Sequence, residues 1–186
     1  MLTLPSLHGS VLYGPHVRTT MGVLVQLFAE AARSVVLGSP FMQAGHGLSE
    51  GPLAVAASAA LARGVEVDIL GTEAALSELR LERLYRGARA SLRTWVPSPA
   101  PVSTYGRGFH AKFCLADASD AYIGSANFTG PGLESQLEMG ILVHGVVAGQ
   151  VREFWRLACD SGFVQLRDEH LGSSRRRAVR RPVRRT

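Results

Sequence analysis

At 186 residues and 46% hydrophobic content, the chain is long enough for one domain with a buried core. It has no run of 18 apolar residues and no basic N-terminal stretch leading into an apolar block, so neither a spanning helix nor a leader peptide is expected. The formal charge of +5 comes wholly from the C-terminus: seven arginines and no acids follow residue 174, and without them 13 basic residues face 15 acidic ones. We therefore read residues 1–174 as a single domain and 175–186 as a disordered Arg-rich tail, suited to act as a phosphate-binding arm.

Residues 1–20 give little periodic signal. From Met21 to Arg33, Met21, Leu24, Leu27, Phe28 and Ala31 recur at helical spacing. Ser34 to Met42 reads as a strand and its exit, broken by Gly38 and Pro40. Leu53 to Arg63 is helical again with Gly64 as its stop, and Val65 to Leu70 is a β-branched strand. A helix is expected over about Glu73 to Arg89, with Glu82 and Arg86 at ion-pair spacing. Ser91 to Val96 can form another strand. Strands then follow over Phe109 to Ala116, Ala121 to Gly124 and Gln136 to His144, and Val147, Val151, Phe154, Trp155 and Ala158 outline a C-terminal helix. This alternation predicts an α/β fold: a mixed, largely parallel sheet flanked by helices on both faces.

The chemistry concentrates in Phe109 to Gly140. His110 and Lys112 are two apart on an extended segment and so project to one face, aiming a proton-transfer group and a fixed cation at one spot. Asp117, Ser125, Asn127 and Glu138 follow. Lys112 is the only lysine in the chain and Asn127 the only asparagine. Codon bias accounts for the arginines but not for where these two stand, and a compact ammonium is not interchangeable with a guanidinium where a small oxyanion is gripped. The loop from Pro97 to Gly108 leads straight into His110, which makes Tyr105 and Arg107 candidate substrate contacts; a plain connector is the equal alternative. Cys114 and Cys159 sit in apolar-periodic segments and read as buried free thiols of a cytoplasmic protein.

The spacing H-x-K-x4-D, then G-S-x-N and a downstream Glu before Gly, resembles the phospholipase D superfamily. The likeness is strongest over Phe109 to Val143 and weaker back to about residue 22. It is closest to the small single-motif members, among them the bacterial phosphodiesterase-type nucleases; the phospholipase D-like component of the bacterial DISARM anti-phage system is another short relative. The resemblance implies that His110 is the nucleophile, forming a phosphohistidine, and that Lys112 and Asn127 hold the non-bridging oxygens. Glu138 would accept a hydrogen bond from a His110, Ser125 would support the same network, and Asp117 would be structural. A neutral imidazole escapes the repulsion that anionic oxygens exert on charged nucleophiles. One histidine cannot both attack in line and protonate the opposite side, so a homodimer sharing the site is expected. No step calls for a metal or cofactor.

The resulting expectation is a metal-independent nuclease with nucleic acid as partner and no membrane association. Two alternatives stand beside it: a lipid phosphodiesterase of the same chemistry, and a non-catalytic nucleic-acid-binding subunit of a bacterial defence complex with partner proteins. Against the lipid reading, no helix in the sequence pairs Trp or Phe on one face with Lys or Arg on the other. His8, His16, His46 and His170 lack ligand spacing and read as surface residues, His144 as a strand boundary, and Trp95 and Trp155 as core or interface anchors.

Overall fold

The computed structural model describes residues 1–7, 12–84, 88, 90–99 and 109–167. Its elements are β1 (Leu2–Leu4), β2 (Val17–Thr19), α1 (Thr20–Glu30), β3 (Ser34–Gly38), α2 (Pro52–Arg63), β4 (Glu66–Leu70), α3 (Glu73–Ser77) and α4 (Leu81–Leu84). They continue with β5 (Leu92–Pro97), β6 (Lys112–Ala116), β7 (Asp120–Gly124), α5 (Gly130–Glu134), β8 (Gly140–His144), α6 (Val146–Asp160) and β9 (Val164–Leu166). The strands form one sheet in the order β2-β1-β8-β7-β6-β3-β4-β5-β9.

Local chemistry sets the helix ends. The Thr19 hydroxyl accepts from the Gly22 amide at 3.1 Å and opens α1, Pro52 occupies the first turn of α2, and Gly64, at φ +99°, closes it as expected. Over its described part, to Leu84, the helix expected from Glu73 to Arg89 is instead two short ones, with a break at Glu78–Arg80. On one continuous helix Leu81 would lie about 140° around from Leu76, off the buried stripe. The break lets Leu76, Leu79, Leu81 and Leu84 all enter the core. Arg86 lies outside the described residues, as do Tyr105, Arg107, His8, His170 and the Arg-rich tail.

The α/β class and the mixed sheet stand, but the parallel share is smaller than expected. Only β1–β2, β3–β4 and β4–β5 are parallel. The other pairs, β1–β8, β3–β6, β5–β9, β6–β7 and β7–β8, are antiparallel. Helical crossovers return the chain in the same direction from β3 to β5, whereas β6 and β7 are joined by a tight turn. Strands β1, β2 and β9 were not legible, since three residues are too few to show a period.

Side chains alternate across the sheet. Val35, Leu37, Val67, Ile69, Cys114 and Tyr122 pack on one face beneath α1 and α2, in the larger core. Val36, Phe113, Leu115 and Ala121 point to the other face, where α6 lies. Helices therefore flank both faces. Trp95 and Trp155 meet there edge to face at 5.4 Å, and the Trp95 indole donates to Asp68 at 2.7 Å. Cys114 is buried and Cys159 half-buried, both free; burial pushes the Cys159 thiol up to about 11 and Cys114 higher still. On α6, Ala158 is buried as its spacing implies, yet Val147 and Phe154 are 46% and 49% exposed.

Candidate active site

Three neighbouring antiparallel strands bring the motif together. Lys112 opens β6 and faces Gly124, the last residue of β7, which in turn faces Gly140, the first of β8. His110 stands just ahead of β6, Ser125 and Asn127 just beyond β7, and Glu138 just before β8. Two strand boundaries thus differ from those expected: His110 and Glu138 lie outside the ladder. The physical reason is the register, because the partners of β6 run out at Gly38 and Gly124, and ahead of Gly140 the regular ladder gives way to a single backbone bond from the Ser125 amide to the Met139 carbonyl at 3.0 Å.

His110 is exposed and Lys112 is 4% exposed. The Lys112 ammonium lies 2.9 Å from Nδ1 and 3.2 Å from Nε2 of His110, and donates to the His110 carbonyl at 2.9 Å. Burial pulls the Lys112 ammonium below the ordinary lysine value, and the nearby Glu138 carboxylate offsets part of that fall. Glu138 does not bond His110 of its own chain. It accepts instead from the Ser125 hydroxyl, which also accepts from the Met139 amide at 3.1 Å.

Asn127 is half-buried, and its Oδ1 is buried without a hydrogen-bond partner among the described residues. A half-turn of the amide exchanges O and N, so this end of the side chain can present an N–H to an anionic oxygen. The loop that carries it is tightly held. The Phe128 amide donates to Ser39 at 3.3 Å, and a Cβ at Gly132 would meet the Asn127 carbonyl oxygen at 2.4 Å.

Tyr122 explains the glycines of the motif. Its side chain is fully buried beneath the strand ends, where a Cβ at Gly124 would meet its hydroxyl at 2.2 Å and one at Gly140 its ring at 2.3 Å. Burial pushes the phenol up to about 12. The sequence signal for this support was available, an aromatic two residues before the first glycine, but its meaning depends on the strand pairing.

Asp117 is at the other end of β6, about 16 Å from Lys112 at the usual rise of a strand. Its carboxylate accepts from the amides of Ala32 (2.6 Å), Arg33 (2.8 Å) and Ser34 (2.9 Å). Partial burial works to raise its carboxyl, but these donors and the Arg33 charge outweigh it and hold Asp117 below the usual aspartate value. His46 is half-buried rather than on the surface, because its ring packs where a side chain at Gly130 would otherwise stand. His16 is exposed, and His144 ends β8 in an exposed pair with Asp120. Among the described residues, no three His, Cys, Asp or Glu side chains are grouped to hold a metal ion, and no helix is long and apolar enough to cross a membrane.

A family profile described as "Cardiolipin synthase, PLD-like domain" matches residues 24–157. A sequence search of curated proteins finds no match. Among solved structures, NucT from Helicobacter pylori superposes with a TM-score of 0.61 at 15% identity, over 76% of this chain and 87% of that one. Nuc from Salmonella typhimurium, a phospholipase D family member, gives 0.57 at 18% identity, over 80% and 90%. Polyphosphate kinase from Porphyromonas gingivalis gives 0.51 at 13% identity, covering 78% of this chain but 22% of that one. At these identities the likenesses are of fold.

Proposed function

The chain belongs to the phospholipase D superfamily, and from that premise we propose that it is a metal-independent phosphodiesterase that cleaves nucleic acid. The observation that carries the reading is the exposed His110 ring held against the buried Lys112 ammonium, with Asn127, whose Oδ1 has no partner among the described residues, and the Ser125–Glu138 pair at the same strand ends. An imidazole nitrogen of His110 attacks phosphorus, the P–O ester bond breaks, and the leaving alkoxide takes a proton. Lys112 and Asn127 stabilise the non-bridging oxygens as charge shifts onto them. Water then attacks the phosphohistidine, which regenerates His110 and releases the phosphate product.

Among the described residues, the side-chain hydrogen-bond partner of His110 is Lys112, a cation, which is unsuited to protonating the far side of the phosphate. We assign that step to His110 of a second copy, in a homodimer that shares the site. Among the described residues Glu138 bonds no histidine, and it is available to orient the one supplied in trans. Tyr105 and Arg107, just upstream of His110, are proposed substrate contacts.

The test is cleavage of labelled single- and double-stranded DNA and RNA in excess EDTA, with wild type beside His110→Ala. Activity that survives the chelator and is lost in the variant is expected. Activity abolished by EDTA would refute the mechanism. Salt-sensitive binding without cleavage would indicate a non-catalytic nucleic-acid-binding subunit of the kind found in a defence complex. A second reading, hydrolysis of a lipid phosphodiester, is favoured by the apolar residues that α6 exposes, Val147 and Phe154 among them. Phosphatidylglycerol vesicles in the same assay separate the two.

A further inference from the structure

Beside the candidate site, between the β6–β7 face of the sheet and α6, lies an open groove of about 380 Å³ whose lining includes His110 and Lys112. Its walls are apolar: Ile123, Val147, Val151 and Phe154. Ile123 is 37% exposed, which leaves this apolar lining facing water close to the charged centre, as Val147 and Phe154 do. The volume is at the lower end of small-molecule sites, which run roughly 300–1,000 Å³, and suits a single compact group. Because His110 and Lys112 also line it, a group seated in it is within reach of a phosphate held by those two residues.

Two features decide what that group is. Phe154 meets Phe113 at 5.8 Å and 88°, a contact that fixes the ring while leaving at least one of its faces unused by Phe113. Gln150, the uncharged polar side chain of the lining, carries both a donor and an acceptor. A planar ring with a polar edge uses both features, whereas an acyl chain packs on the ring but leaves the Gln150 amide unused. The geometry points to a nucleobase subsite: the base of a nucleotide next to the scissile phosphate leaves its own stack, lies on Phe154 and turns its edge toward Gln150. The inference rests on the nucleic-acid reading above and deepens it, for a base in this groove cannot remain paired in a duplex. The substrate is then single-stranded, with little sequence preference, since every base offers a face for stacking.

The test separates binding from turnover by placing every variant in the full-length His110→Ala protein. Fluorescence anisotropy compares a single-stranded oligothymidylate with an abasic strand of equal length and charge. The base-bearing strand is expected to bind roughly tenfold tighter. Phe154→Ala should bring that ratio to about one with abasic binding unchanged, and Phe154→Tyr should restore it. Gln150→Ala, at an exposed position where folding is not at stake, should narrow the ratio by a smaller factor. An equal ratio in all variants overturns the subsite while leaving the nucleic-acid reading intact, and no binding of either strand overturns both. Two other outcomes also refute it: Phe154→Ala abolishing binding to phosphatidylglycerol vesicles while the base-to-abasic ratio is kept, which assigns the groove to a lipid, or Phe154→Ala splitting a dimer in light scattering, which assigns it to a second copy.

Discussion

The two ends of strand β6 carry charged residues of the same motif under opposite conditions. At the far end, Asp117 is matched group for group: three backbone amides converge on one carboxylate, and the tight turn that holds it accepts positive φ at Asp117 and Ala118. At the near end, among the described residues, His110 is exposed, Lys112 is a buried cation without a bonded carboxylate, and Asn127 has an unpartnered oxygen. Saturated polar groups stabilise a fold; groups left with unused capacity are those able to engage a ligand. On the proposed function, the unsaturated members of this contiguous motif engage substrate and the saturated one builds the frame.

Substitutions can break this contrast, beginning with the largest effect. His110→Ala should lower phosphodiester cleavage by roughly 10⁴-fold or more while the thermal midpoint stays within about 1 °C, checked by single-turnover kinetics beside calorimetry. Gly140→Ala should act on stability instead. Its Cβ would meet the Tyr122 ring at 2.3 Å and Thr3 Oγ1 at 2.8 Å, and overpacking of this kind costs about 2 kcal/mol in urea unfolding. Gly149→Ala on α6, where nothing lies within 4 Å, should by contrast stabilise by about 0.5–1 kcal/mol.

At the saturated end, Asp117→Asn should cost about 1–2 kcal/mol, because two of its three donors are near water, and should leave kcat close to wild type. Since the folded carboxyl sits below its unfolded value, its contribution is present above the unfolded pKa and is lost as pH falls through the folded one. The stability of wild type should therefore decline more steeply in acid than that of the variant. The smallest effect concerns the near end. Lys112 binds an anion only while protonated, so activity should fall on the alkaline side at a pH below the ordinary lysine value. Glu138→Gln, which removes a charge that raises Lys112, should move that limb lower again in a kcat/KM profile.

Much of this was legible in the chain before any folding was considered. The helices of Thr20–Glu30 and Pro52–Arg63 announced themselves by apolar period and by Gly64, and the motif residues by their types and spacing. Less legible was α6. Its period reads as a buried stripe, yet Val147 and Phe154 face water because the sheet beneath the N-terminal part of that helix leaves a groove. The break between α3 and α4 was hidden for a related reason, since Leu81 is off a helical stripe and only the surrounding core shows where it goes.

The candidate site side chains, the class of fold and the placing of all net basicity in the tail were all readable along the chain, because these depend on residue identity and on periods of two or 3.6. Tertiary structure alone decided that Glu138 pairs with Ser125, that Tyr122 requires glycine at 124 and 140, and that an apolar groove opens beside His110. Each of these arises where separate strands end side by side, and the register that aligns such ends is fixed by packing across the whole sheet rather than by any local stretch of chain.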